Sequence, residues 1–288
     1  MFTLPARRDF LKACTAGAVA MAATAPGAAL LSIDARADGP ARINFQIGWL
    51  KTNNQAGEIC AKRMGFYEQE GVELNLVEGG PHIDGLSLVA DGRHEVGQLS
   101  SSPSLMVAVS QNVPVKCFAV GAQQHPFAFF SRRRAPVRSA RDLVGKRIGV
   151  SPTSLILVRA FLAKSAIDLR EVTLVTTGSD MTPLVVGEVD AMAAWLTNTG
   201  ALKPLGADRV DLRLWDAGVR LYAHPYYATI QTIHDRADIL ARFVRATSKG
   251  WEFAFHNPDE AVKLLIAELP HLDEEDERSA LKVMLSHA

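Results

Sequence analysis

Cysteine is scarce here, at three in 288 residues. No two cysteines stand at metal-ligand spacing, which argues against a zinc-stapled scaffold, and the two beyond the N-terminal segment, Cys60 and Cys117, would permit at most one bridge. Neither sign of charge prevails: 31 Lys and Arg balance 31 Asp and Glu. A neutral chain has no electrostatic pull toward nucleic acid or anionic lipid, so neither is expected as a partner. Catalytic signatures are missing too, with no G-x-S-x-G, H-E-x-x-H, G-x-x-x-x-G-K-[ST] or G-x-G-x-x-G. The eight histidines include no i,i+4 pair, and the acidic residues sit mostly on predicted helices. These absences argue against turnover, a metal centre and a cofactor.

What is present begins at the N-terminus. Ala6-Arg7-Arg8-Asp9-Phe10-Leu11-Lys12 opens a run of small apolar residues that ends near Leu31, and Ala35-Arg36-Ala37 offers a cleavage site. Residues 1–37 read as a twin-arginine export signal, which implies passage through the twin-arginine (Tat) machinery and work in the periplasm. A retained membrane anchor fits less well, because the run is Ala-rich and is broken by Thr15, Gly17, Thr24, Pro26 and Gly27. Of the cysteines, Cys60 and Cys117 follow the leader in apolar, regular segments. They read as buried free thiols.

Past the leader, strand-like and helix-like runs alternate. Ile43–Ile47 and Val72–Val77 have period two, and Gln55–Gln69 has a helical face of Cys60, Met64 and Tyr67 closed by Gly71. Helix, strand and helix follow at Asp84–Asp91, Glu95–Leu99 and Pro103–Gln111, then a strand at Val115–Val120. The pattern restarts at Phe127–Ser131 and runs through Val150, Ser154–Ala166, Val172–Thr176 and Met181–Gly187 to Ala191–Trp195. Ser139 with Asp142 forms a capping-box-like start. Such alternation predicts parallel, doubly wound sheets in two α/β units. The remainder is helical: Ile239 to Phe255 carries a 3.6-residue stripe, Asn257-Pro258 opens another helix, and the run Asp273–Arg278 reads as a solvated face.

Two turns match across the units. Ser100-Ser101-Ser102-Pro103-Ser104 leads from strand to helix in the first, and Ser151-Pro152-Thr153-Ser154 does so in the second. In open parallel sheets, ligands sit beyond the carboxyl ends of strands, where helix-start N–H groups and small hydroxyls can hold an oxygen-rich group. Read singly, each turn is an ordinary N-cap; the pairing favours a site. Trp49 and Trp195 end strands and, with Tyr227 from the cluster Tyr222, Tyr226 and Tyr227, could sandwich a flat ligand. Asn53, Gln55 and Asn198 offer neutral hydrogen bonds, and His125 and His224 flank the two presumed crossings between units. The ligand-binding candidates are therefore Trp49, Asn53, Gln55, Ser101, Ser102, Ser104, His125, Ser151, Thr153, Ser154, Trp195, Asn198 and Tyr227.

A family likeness rests on an ordered series of short pieces. They are Gly48-Trp49, Gln55-Ala56-Gly57, the run Gly65 to Val72, Leu88 to Gly92, Asn112 to Val115, Asp142 to Lys146, Gly187 to Ala191 and Phe243 to Ala246. In this order the chain resembles the periplasmic substrate-binding components of ABC transporters, in the group related to sulfonate-binding proteins and thiamine pyrimidine synthases. The resemblance implies a two-lobed, hinge-closing fold with each lobe a doubly wound sheet. Lobe 1 would be 38–125 plus 226–288, and lobe 2 would be 126–225. It further implies a monomer that passes a small organic ligand to permease subunits in the inner membrane. Trp49 is similar to the tryptophan that stacks on pyrimidine in this group. Neither serine turn carries the Arg or Lys that would neutralise a sulfonate, so a thiamine-precursor-like heterocycle is the expected ligand. The synthases resemble the chain as well, but need a lysine for pyridoxal phosphate and a histidine consumed as substrate. Ser100–Ser104 contains neither, and no cysteine-rich run occurs near His224–Tyr227. A secreted sensory module is a third class open to the same fold. Family members usually continue past the equivalent of Ala288, so the pattern of Leu281, Val283 and Met284 suggests a shortened C-terminus.

Overall fold

A computed structural model describes residues 39–80 and 82–287; the expected export signal lies outside these residues. The alternating strand Val72–Val77 (β2) buries Val72, Leu74 and Leu76 and exposes Glu73 and Asn75, as a one-sided strand must. It pairs in parallel with Ala41–Gln46 (β1), which pairs in parallel with Val96–Gln98 (β3). Ala223–Thr229 (β10) runs antiparallel to β3 and to Val115–Ala122 (β4), completing a sheet of order β2-β1-β3-β10-β4.

The second sheet repeats this plan. Its strands are Phe127–Arg132 (β5), Arg147–Val150 (β6), Thr173–Thr176 (β7), Ala191–Trp195 (β8) and Arg209–Arg213 (β9), in the order β7-β6-β8-β5-β9. Here β5 is the antiparallel strand. Each sheet is therefore mixed rather than wholly parallel, because each takes its antiparallel strand from a crossing: β5 from the outward one and β10 from the return. β5 buries every residue from Phe127 to Ser131, which explains its unbroken apolar run.

Helices cover the sheets. In the first lobe they are Ala56–Arg63 (α1), Phe66–Gln69 (α2), Gly85–Ala90 (α3) and Ser102–Ser110 (α4); in the second, Leu155–Lys164 (α5), Thr182–Val186 (α6) and Thr199–Leu202 (α7). After β10 come Ile230–Asp235 (α8), Ala237–His256 (α9), Pro258–Glu268 (α10) and Glu274–Leu285 (α11). The stripe of α9 buries Leu240, Phe243, Ala246 and Ala254. Phe243 meets Phe45, Tyr67 and Tyr226 with ring centroids within 6 Å, a burial of about 1.5–3 kcal/mol. Gly250 lets α9 lie on α1: a Cβ there would strike the Gly57 carbonyl and Ala61.

Several expectations change in three dimensions. The helix read over Gln55–Gln69 breaks at Gly65, whose φ of +72° suits glycine. Asn257 does not cap α10; its amide donates back to the Phe253 carbonyl at 3.1 Å. Cys60 and Cys117 are both unpaired, and Cys60 is buried, but Cys117 is exposed because β4 is an edge strand. The charge run is not wholly solvated. Glu277 is buried, accepting from Asn53 Nδ2 at 3.0 Å. Asp276 pairs with Lys203, and its carbonyl accepts from Thr199 Oγ1 at 2.8 Å. The helix α11 thus holds the first lobe through one acid and the second through its neighbour, while Leu281, Val283 and Met284 face three different apolar clusters.

Candidate functional site

Four strands end on the same side of their sheets and feed the candidate loops. β1 runs into Trp49, β3 into the turn Ser100–Ser104, β6 into Ser151–Ser154 and β8 into Asn198. Ser101 is buried, bridges Ala223 and lies 3.1 Å from the Ser104 hydroxyl. The Ser102 N–H donates to the Tyr222 carbonyl at 3.3 Å. In the second lobe the Ser151 hydroxyl donates to Ser154 at 2.9 Å and lies 3.3 Å from Thr153. Ser154 is buried and Thr153 exposed. Helices α4 and α5, which follow these turns, touch each other, so the two turns lie on facing elements of the two lobes.

The crossings come together beside them. The His125 N–H donates to the Leu221 carbonyl at 3.0 Å, and that of Gln124 to the His287 carbonyl at 3.0 Å. The His125 ring centroid lies 4.7 Å from that of Trp195, and the His224 ring centroid lies 5.6 Å from it. Neither ring nitrogen of His125 has a partner, nor does His224 Nε2, although both residues are buried. His224 has a positive φ of 51°, a conformation that costs a residue with a Cβ energy and is held by its surroundings. Burial lowers the His125 imidazole to about 3, helped by the neighbouring His224 and His287, and lowers His224 to about 4.

In the first lobe, Asn53 Oδ1 and Glu58 Oε2 are further buried atoms without a partner. Leaving such an atom unpaired costs about 1–3 kcal/mol. Glu58, wholly buried in α1, accepts from the Tyr226 hydroxyl at 2.5 Å and from Gln98 Nε2 at 3.5 Å. Burial pushes its carboxyl up to about 7, against the pull of Tyr226.

Of the sequence candidates, the fold gathers Ser101, Ser102, Ser104, His125 and Trp195 around the crossings. Trp49 stays about 39% exposed in the turn after β1. Asn198 is half-buried at the start of α7. Asn53 and Gln55 are buried and already bonded, to Glu277 and Gln98. Tyr227 faces the wrong way: it is fully buried among Val89, Leu105 and Val115, its hydroxyl 3.4 Å from the Gly85 carbonyl. Its neighbour Tyr226 takes the other face of β10, since strand side chains alternate. Glu58, Gln98 and Glu277 were not foreseen. For Glu58 a signal existed, a lone acid inside the apolar run Ala56–Ala61. An open groove lined by Asp91, His94, Glu95, Thr232 and Arg236 lies at the opposite end of strands β3 and β10, away from the turns. Among the described residues, no group of His, Cys, Asp and Glu is placed to hold a metal ion.

Two lobes of like topology joined by two crossings make the periplasmic-binding-protein fold. The chain aligns with the alkanesulfonate-binding protein SsuA of Xanthomonas axonopodis pv. citri bound to MOPS, at a TM-score of 0.65 and 18% identity, over 86% of this chain and 85% of that one. It belongs to the NMT1/THI5-like family, whose model matches residues 52–261. Among its relatives is a formylaminopyrimidine-binding protein of Halalkalibacterium halodurans, 27% identical over 84% of this chain and 76% of the relative. A 4-amino-5-hydroxymethyl-2-methylpyrimidine phosphate synthase of Legionella pneumophila is 21% identical, over 80% and 75%. A riboflavin-binding protein of Chloroflexus aurantiacus is 25% identical, over 80% and 67%.

Proposed function

We propose that this chain is the extracytoplasmic solute-binding component of an ABC importer, and that it captures a small heterocycle of the aminopyrimidine kind between its lobes. One observation carries the reading. Two hydroxyl-bearing helix starts, one per lobe, sit on touching helices next to a ring cluster whose buried nitrogens lack partners. The turns would meet polar substituents, while Trp49 and Trp195 would meet ring faces. The pyrimidine and flavin ligands named for two relatives are both flat heterocycles, which supports the class. The twin-arginine leader supports periplasmic work and export in the folded state. Closure about residues 123–126 and 214–222 would commit the ligand, and a permease would receive it.

The reading is tested by titrating the purified chain with formylaminopyrimidine, riboflavin and MOPS while following tryptophan fluorescence and heat. Micromolar or tighter binding of formylaminopyrimidine, with the compound recovered unchanged, is the expected result. Conversion of the compound would transfer the chain to the synthase side of the family. Binding of MOPS alone would restore the sulfonate reading.

A further inference from the structure

Glu58 has no place in the ligand reading so far, yet it ends a hydrogen-bond chain that runs in one direction. The Thr52 N–H donates to Gln55 Oε1 at 3.1 Å, and Gln55 Nε2 donates to Gln98 Oε1 at 2.8 Å. Gln98 Nε2 then donates to Glu58 Oε1 at 3.5 Å, and the Tyr226 hydroxyl donates to the same oxygen at 2.5 Å. The chain joins the Thr52 turn, the end of β3 and β10 to α1. Gln55 closes the capping box of the mouth turn at Thr52. Gln98 is the last residue of β3, just ahead of the first serine turn, and Tyr226 lies two residues past His224 on β10.

A carboxylate accepts such bonds about twice as strongly as a neutral acid, so the grip at the end of the chain depends on one proton. The titratable groups near Glu58 are Cys60 on its own helix, Tyr67 on α2 and Tyr226 on β10, weak acids neutral near pH 7 that burial raises further. α9 contributes Trp251 and β3 contributes Gln98, which do not titrate; His224 stands two residues from Tyr226. No cation is among the groups shifting this carboxyl.

We propose that Glu58 is a positioning residue for solute capture. When ionised it draws Tyr226 and Gln98 onto one oxygen, and through Gln98 it fixes Gln55 and the mouth turn. When protonated it loosens them, so capture strengthens as pH rises. The proposal rests on the solute-binding reading above and adds its regulation. That burial holds the group near neutrality puts the transition within reach of periplasmic pH.

The experiment measures formylaminopyrimidine affinity from pH 5.5 to 8.5. Affinity of the wild-type chain should rise with pH across about 7, by no more than tenfold per unit because a single proton is linked. Glu58→Gln should bind at the weaker, low-pH level with no such rise. Tyr226→Phe, which removes the strongest donor to the carboxylate, should move the midpoint to higher pH. An unaltered pH profile in either variant overturns the proposal. If wild-type binds no probe, the solute reading fails, and hydrogen exchange without ligand decides the role of Glu58. Protection of peptides 49–55 and 98–104 that grows with pH in the wild-type chain, after correction for intrinsic rates, and stays flat in Glu58→Gln upholds it. The same pH dependence in both chains rejects it.

Discussion

The two lobes share a strand order but differ in what they bury. Near the carboxyl ends of its strands the first lobe buries Asn53, Gln55, Glu58, Gln98 and Ser101, whereas the buried polar residues of the second are Ser131, Ser154 and Thr197 among the described residues. Amides and a carboxyl must be satisfied by a network or they destabilise the lobe, while short hydroxyls satisfy themselves against nearby backbone and one another. The first lobe therefore holds a bonded polar network, Asn53 with Glu277, Gln55 with Gln98, and Tyr226 with Glu58. Among the described residues the second buries only short hydroxyls, such as Ser154, which accepts from Ser151.

The largest expected difference between the lobes comes from their glycines. A Cβ on Gly250 meets the Gly57 backbone, which cannot move, while one on Gly149 meets the Met192 sulfur and Thr177, side chains that can. Gly250→Ala should cost about 3 kcal/mol despite a gain of about 1 kcal/mol in helix propensity, and Gly149→Ala about half as much. Equal shifts of the two urea midpoints would erase the contrast.

Acidity should separate the crossings from the first-lobe interior, because the signs are opposite. Burial depresses His125 and His224 below their ordinary 6.5, to about 3 and about 4. Their contribution is complete above pH 6.5 and is lost as pH falls through the window below it. Burial raises Glu58 from 4.5 to about 7, so its contribution is complete below pH 4.5 and is lost as pH rises through 7. Each linked proton contributes about 1.4 kcal/mol per pH unit within its window. Melting temperature should fall from pH 6.5 to 4.5 in the wild-type chain, less so in His125→Phe and more steeply in Glu58→Gln. Parallel curves for all three would show that these groups do not set the pH dependence.

Trp49 sharpens the comparison further, because its exposure separates affinity from stability. Trp49→Ala should weaken formylaminopyrimidine binding about tenfold, about 1.4 kcal/mol, while leaving the melting temperature within a degree or two. Unchanged affinity would remove it from the site. The smallest effect belongs to the link between lobes. Lys203 is about 60% exposed where it meets Asp276, so Lys203→Ala should cost less than about 0.5 kcal/mol. Thr199 and Glu277 then carry more of the attachment of α11, and a loss above about 1 kcal/mol would reverse that order.

Much of the scaffold was legible because local rules produced it. The alternation of Val72–Val77, the apolar run of β5, the Ser139–Asp142 capping box and the stripe of α9 each express a periodicity or cap written in consecutive residues. The serine turns were legible for the same reason, since a helix start after a strand has a local signature. Other features gave weaker signals. Arg209–Arg213 is a charged edge strand that sequence pattern does not separate from a loop. Tyr226 and Tyr227 are identical in type, and only the strand's facing decides that one meets Glu58 while the other fills the core.

The order of amino acids by itself determined the elements, the restart of the α/β pattern and the family likeness, because each depends on neighbours within a few turns or on a series of short motifs. Tertiary structure alone decided that Glu58 would sit without a cation, that two crossing histidines would share one tryptophan, and that α11 would hold both lobes. Those outcomes depend on burial and on contacts between residues as much as 224 positions apart, and desolvation is a property of the surroundings rather than of the residue.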